Sequence, residues 1–97
     1  MSLRGSPVSE HAALPRGGSV EVWVGVPDDP YIPKSELNSV DLQLREGENV
    51  LASVTTVLDA DQDSEARQLA REVRAAIEAD QIPLTASALE PFADRLR

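Results

Sequence analysis

Residues 19–26 read "SVEVWVGV", and this stretch decides the fold class because its periodicity is that of a strand. Four valines, at positions 20, 22, 24 and 26, alternate with Glu21, Trp23 and Gly25. Successive side chains of a β-strand point to opposite faces, so such an alternation of β-branched residues indicates a half-buried strand. We predict that the valines face the core and that Trp23 lies on the other face, where it is either exposed as an anchor for a partner or covered by the amino-terminal segment or a second subunit.

Two further segments are predicted to form strands. Residues 40–45 alternate apolar and polar side chains, and "EGEN" at 46–49 is a turn sequence. Residues 50–58, "VLASVTTVL", fit a helical stripe, but five of the nine are β-branched and the segment follows a hairpin signal. We interpret 50–58 as a strand; the alternative is a third helix packed on a two-stranded ribbon.

Helical periodicity begins near residue 63. Apolar side chains between residues 63 and 80 recur at the spacing of one helical face, and a second, shorter helix is predicted near 88–96. The expected fold is α+β: about three antiparallel strands, near 19–26, 40–45 and 50–58, followed by two helices packed on one face of the sheet. Arg67, Arg71 and Arg74 share the opposite side of the first helix, as a solvated stripe or as an interface.

The amino-terminal residues 1–18 are rich in Ser, Pro, Gly and Arg, so we expect a flexible tail there and one small domain over residues 19–97. The chain of 97 residues contains no cysteine, which excludes disulfides and thiolate sites and is typical of a cytoplasmic protein. No apolar run has the length of about 20 residues that a membrane-spanning helix requires.

The charge of the chain restricts the partners that it can bind. The formal net charge is −8, and residues 19–62 carry most of it, with nine acidic side chains against Lys34 and Arg45. Phosphate backbones and anionic lipids repel such a surface, so we predict binding neither to nucleic acid nor to membranes.

The run "DADQDSE" at 59–65 resembles the opening of a calcium-binding loop, because Asp59, Asp61 and Asp63 fill its first three ligand positions. Ser64 stands where such a loop needs glycine, and Ala70 stands where it needs glutamate. The same residues are what the start of a helix requires, where Asp63 or Ser64 would cap free amides. We therefore interpret this run as a helix start and predict no metal site, with the three aspartates as weak candidates.

No arrangement of residues in the sequence supports catalysis. The single histidine, His11, lies in the expected tail, and no pair of carboxylates is brought together by spacing alone. We predict a non-catalytic, cofactor-free domain that acts through a protein partner or through self-association. The alternative is a domain that binds a small ligand or a divalent cation at residues 59–63 or 27–39. The predicted partner-binding residues are Trp23, Asp28, Asp29, Tyr31, Lys34, Glu46 and Glu48.

Overall fold

The chain folds as an α+β domain in which a four-stranded antiparallel sheet precedes two helices. The computed structural model describes residues 7–15, 17–26, 40–58 and 61–94. The strands follow one another in the sheet in chain order. The elements are β1 (Val8–Ala13), β2 (Ser19–Gly25), β3 (Val40–Glu46), β4 (Asn49–Thr56), α1 (Asp63–Glu78) and α2 (Ala86–Asp94).

The predicted strands are confirmed, including the ambiguous segment 50–58, which lies mostly in β4. The sheet has one strand more than the sequence predicted. The additional strand, β1, lies inside residues 1–18, and the expectation of a flexible tail is wrong for Val8–Ala13. These residues pair with β2 in an unbroken antiparallel register. The strand was missed because its helix-facing positions include a charged residue, Glu10, which only a distant helix neutralises.

The core lies between one face of the sheet and the two helices. Alternate residues of the strands and the apolar face of α1 form a single buried cluster, which is aliphatic as the composition predicts. Burial of a large aliphatic side chain contributes roughly 1.5–3 kcal/mol, so this layer is the main source of stability. Its largest fully buried side chains are Leu42, Leu44, Leu69, Ile77, Leu89, Val20, Val22, Val24, Val26, Val40 and Val73.

The helix boundaries differ from the predicted ones by a few residues. Helix α1 begins at Asp63 as expected, but its N-cap is Gln62, without a side-chain capping bond, rather than Asp63 or Ser64. Helix α2 begins two residues before the predicted start at 88, and the Thr85 hydroxyl accepts a hydrogen bond from the Ala88 amide (3.3 Å). Neither described helix combines the length and the apolar character needed to cross a membrane.

The β3–β4 hairpin determines which side chains at the start of β4 are exposed to solvent. Gly47 lies in its two-residue turn with φ of +60°, a left-handed conformation that favours glycine. The register then shifts between Leu44 and Arg45, as in a β-bulge, so that Leu51 has no direct cross-strand partner. Val50 and Leu51 are 51% and 41% exposed. The bulge therefore leaves two large apolar side chains uncovered beside the turn.

Candidate functional site

The predicted anchor residue, Trp23, is not exposed. Its side chain lies on the sheet face away from the helices, as expected, but only 8% of its surface is accessible. The Arg45 guanidinium stacks over the indole at 4.0 Å from the ring centroid. A Cβ added to Gly25 would lie 3.0 Å from the indole and 2.7 Å from Pro7. Glycine at this position therefore lets the ring lie against the strand, and of the two alternatives for Trp23 the structure shows the covered one.

The other predicted partner-binding residues fall into two groups. Glu46 and Glu48 are exposed at the β3–β4 hairpin. Asp28, Asp29, Tyr31 and Lys34 lie outside the described residues, as does the whole segment 27–39.

The sheet face around Trp23 carries polar side chains that bond to one another. The Arg45 Nε donates to the Gln43 amide oxygen (2.8 Å), and Asp41 accepts hydrogen bonds from the side chains of Thr55 and Gln43. Burial raises the pKa of the Asp41 carboxyl, while these two hydrogen bonds act in the opposite direction. These side chains of β3 and β4 are thus bonded to one another, and we interpret them as a structural network.

The aspartates of the calcium-like run do not assemble a ligand cage in the described part of the chain. Asp61 lies in the turn before α1, Asp63 is the first residue of that helix, and Asp59 lies outside the described residues. Among residues 7–15, 17–26, 40–58 and 61–94, no group of three or more side chains of the types that hold metals comes together.

The two edges of the sheet offer backbone groups that the ladder does not use. The Leu14 amide donates to the Gly18 carbonyl (3.0 Å), so these two residues form a hydrogen-bonded pair in the β1–β2 hairpin. Every second residue of β1, counted from Leu14, then bonds to β2, and the residues between them point outward. In an antiparallel sheet, hydrogen-bonded residue pairs alternate with pairs that are not hydrogen-bonded. The registers of the three strand pairs therefore determine which residues of β4 point their backbone groups toward β3 and which point them outward. The outward-facing amides and carbonyls are then those of Ser9, His11 and Ala13 on β1 and of Ser53 and Thr55 on β4.

The β1 edge is flanked by charged side chains of α1. The Ala13 amide, which also points outward, donates to the Glu78 carboxylate (3.1 Å). Glu10 lies 3.7 Å from the guanidinium groups of both Arg71 and Arg74, and Arg74 also pairs with Glu78 (3.3 Å). Below the remaining edge, a groove of about 340 Å³ has walls that include Arg67 and Arg71. We call this groove the β1 groove.

The β4 edge is unlike the β1 edge because the strand carries no charge. Residues 49–58 contain no ionisable side chain, although 27% of the whole chain is charged. Val50, Leu51 and Val57 (47% exposed) are the large hydrophobic residues exposed among those described. A groove of about 390 Å³, the β4 groove, separates this edge from α2 and includes Glu90 and Asp94 in its walls.

Sequence reasoning missed the β4 edge as a candidate site, although the absence of charge over ten residues was a visible signal. The assignment of 50–58 was ambiguous between strand and helix, and an edge position is a property of the sheet order. The chain matches no protein-family model, no curated protein and no solved structure. The candidate site therefore follows from the geometry of the domain itself.

Proposed function

We propose that this domain is a protein-interaction module that binds an extended protein segment at the outer edge of β4. The observation that carries the proposal is the unprotected state of that edge: an uncharged strand with three exposed apolar side chains on an otherwise strongly acidic domain. Within the described residues, no strand pairs with the outer side of β4.

The physical argument begins with the outward-facing backbone of Ser53 and Thr55. An added strand would form main-chain hydrogen bonds with these residues, and each such bond contributes about 0.5–1.5 kcal/mol net. Binding by strand addition is a recurrent mode of peptide recognition, in which the main chain supplies affinity and alternate side chains supply specificity. Proteins usually protect exposed edges with charge, proline or a short strand, because an open edge recruits other strands.

The exposed apolar residues add a second favourable contribution. Val50 and Leu51 lie at one end of β4, and Val57 follows its other end. Covering apolar surface stabilises a complex by roughly 25 cal/mol per Å². A strand laid along β4 would meet an apolar side chain near each end, and this arrangement favours an extended occupant over a compact one.

The proposal is tested by replacing the outward-facing amide of Ser53. The Ser53→Pro variant removes a donor that the β3–β4 ladder does not use, so the fold is retained while strand addition is blocked. Ser53→Ala is the matched control, because it removes the same hydroxyl and keeps the amide. Each variant is used for affinity capture from a lysate of the source organism, and circular dichroism confirms that it is folded.

The expected result is a protein that is captured stoichiometrically by the wild-type chain and by Ser53→Ala, and is lost with Ser53→Pro. Recovery of the same proteins with all three chains would contradict binding at the β4 edge. A second copy of the chain counts as a partner, so the bait and the chain in the lysate need distinguishable tags.

A further inference from the structure

We propose that the two edges of the sheet are complementary, so that β4 of one copy adds to β1 of a second copy in a head-to-tail contact. The inference rests on the proposed function and names the partner strand as the chain's own β1. Three observations support it: strand direction, the number of outward-facing residues that the fold leaves available on each edge, and the charge beside each edge.

Strand direction is the first observation. The strands alternate in direction in the order β1-β2-β3-β4, so β4 runs opposite to β1. When a second copy continues the sheet with its helices on the same side, its β1 lies antiparallel to β4 of the first. No strand has to be inverted, and the contact extends the existing antiparallel pattern of the sheet.

Two residues on each edge offer both an outward-facing amide and an outward-facing carbonyl that the fold leaves available. Ser9 and His11 on β1 can meet Thr55 and Ser53 on β4, respectively, in an antiparallel register. The Glu78 carboxylate occupies the next outward amide of β1, that of Ala13, and therefore limits the length of strand that this edge accepts. The pairing is short for a permanent interface, so we expect weak and reversible association.

Charge decides which edges attract each other. The lining of the β1 groove carries the arginines Arg67 and Arg71 beside the acids Glu10 and Asp63, whereas both charged residues in the lining of the β4 groove, Glu90 and Asp94, are acidic. In the head-to-tail contact, both grooves lie on the helix side, so the arginines of one copy face the acidic residues of the next. Pairing β4 with β4 would place four carboxylates together, which opposes that contact, and pairing β1 with β1 would bring together two grooves of no net charge, which gives no attraction.

The arginines of α1 have capacity for such a contact. Glu10 is shared between Arg71 and Arg74, and the second carboxylate, Glu78, pairs with Arg74. Arg71 is 70% exposed at its side chain, and Arg67 is also exposed. Asp63 in the wall of the β1 groove and Asp94 in the wall of the β4 groove each have an interaction of their own within the chain, so the contact is assigned mainly to Arg67, Arg71 and Glu90.

The decisive experiment uses cysteine pairs, because the natural chain contains no cysteine. His11→Cys and Ser53→Cys are prepared as separate full-length variants, mixed, and oxidised gently. In the proposed register, the two positions form a hydrogen-bonded antiparallel pair with Cα atoms about 5.5 Å apart, which a disulfide can bridge. Within one chain the two sites lie on opposite edges, three strand spacings or about 14 Å apart.

The expected product is the mixed disulfide between the two variants, in at least about fivefold excess over either homodimer. A statistical mixture of the three products would overturn the head-to-tail pairing, and so would an excess of either homodimer. Denatured variants under the same oxidation provide the statistical reference.

A charge swap supplies a second readout in the native chain. Arg67→Glu and Glu90→Arg each place like charges in the contact, so each variant alone is expected to associate about three- to tenfold more weakly in sedimentation velocity. An equimolar mixture of the two restores association, because it puts opposite charges together again. Glu65→Arg, at an exposed position of α1 outside the lining of both grooves, is the control, because it changes the net charge as Glu90→Arg does.

The failure of this inference is distinguishable from failure of the proposed function. A chain that stays monomeric, with no excess of the mixed disulfide, overturns the head-to-tail contact. Loss of a captured foreign protein in Ser53→Pro would, in that case, still support strand addition at β4. Loss of self-association in Ser53→Pro together with mixed disulfide formation supports both.

Discussion

The two edges of the sheet have similar strands but opposite protection. Strand β1 has six residues, and charged side chains of α1 surround it and bond to one of its outward amides. Strand β4 has eight residues, no charge and three exposed apolar side chains within or next to it. The charged residues beside β1 thus cover part of its edge, whereas the edge of β4 has no such protection, and this contrast is the basis of the binding proposed at β4.

The contacts at the β1 edge also account for the arginine stripe of α1, which consists of Arg67, Arg71 and Arg74. Arg71 and Arg74 attach the helix to β1 through Glu10, while Arg67 extends the stripe along the β1 groove. The stripe is thus a structural contact at its carboxyl-terminal end and an open surface at its amino-terminal end. Exposed ion pairs contribute only about 0–1 kcal/mol each, so backbone pairing rather than charge holds β1 in place.

The largest effect on stability is expected from Trp23, which lies between the two edges and serves as a reference for both. Trp23→Ala deletes a large, nearly buried side chain and its contact with Arg45, so the free energy of unfolding should fall by about 3–5 kcal/mol. Urea unfolding monitored by circular dichroism measures this change. Arg45→Gln, which removes the cation–π contact together with the hydrogen bond to Gln43, should cost about 1–2 kcal/mol.

A Trp23→Ala variant that lost less than about 1 kcal/mol would contradict the buried environment of the indole. It would then revive the sequence-based interpretation of Trp23 as an exposed anchor.

Proline substitutions in β1 are expected to have an intermediate effect on the free energy of unfolding. Glu10→Pro removes an amide that bonds to β2 and should lower the free energy of unfolding by about 2–3 kcal/mol. Ser9→Pro removes an outward-facing amide, and its cost should be below about 1 kcal/mol. Glu10→Ala controls for the lost ion pairs. An equal loss of stability in Ser9→Pro and Glu10→Pro would mean that the Ser9 amide also bonds to β2. That result would contradict the hydrogen-bonding pattern of β1 that the Leu14–Gly18 bond implies.

The fold was predictable where local pattern and burial agree. The valines of β2 and the apolar face of α1 carried their own periodicity, and both elements lie where the sequence placed them. Strand β1 was not predictable because the environment of Glu10 depends on residues more than sixty positions away. The burial of Trp23 likewise depends on Arg45 from the neighbouring strand, a contact that appears only when the register is known.

The candidate site was less predictable than the fold. The sequence emphasised charged and aromatic residues, which are typical of binding surfaces, and drew attention to residues 27–39 and to Trp23. The edge of β4 is defined instead by what its residues lack, together with its position at the end of the sheet. Neither property is a local motif, so only the strand order identifies this surface.

The smallest expected effect concerns Asp41, whose hydrogen bond with Thr55 links an acidic group to the uncharged β4 strand. Burial raises the pKa of the Asp41 carboxyl above its ordinary value of 3.8, so the folded chain holds this proton to higher pH than the unfolded chain. The contribution of Asp41 to the free energy of unfolding therefore declines as the pH rises from 3.8 through the folded pKa, and is constant above it.

Asp41→Asn removes this titration, so its stability relative to the wild-type chain should increase with pH across the same interval and then level off. Thr55→Val removes a hydrogen bond that favours the carboxylate, and it should move the pKa of Asp41 further upward in a carbon-13 NMR titration. A downward movement in Thr55→Val would mean that the hydroxyl does not donate to Asp41. The β4 strand would then lack this polar tie to the charged part of the sheet, and the contrast between the two edges would be greater still.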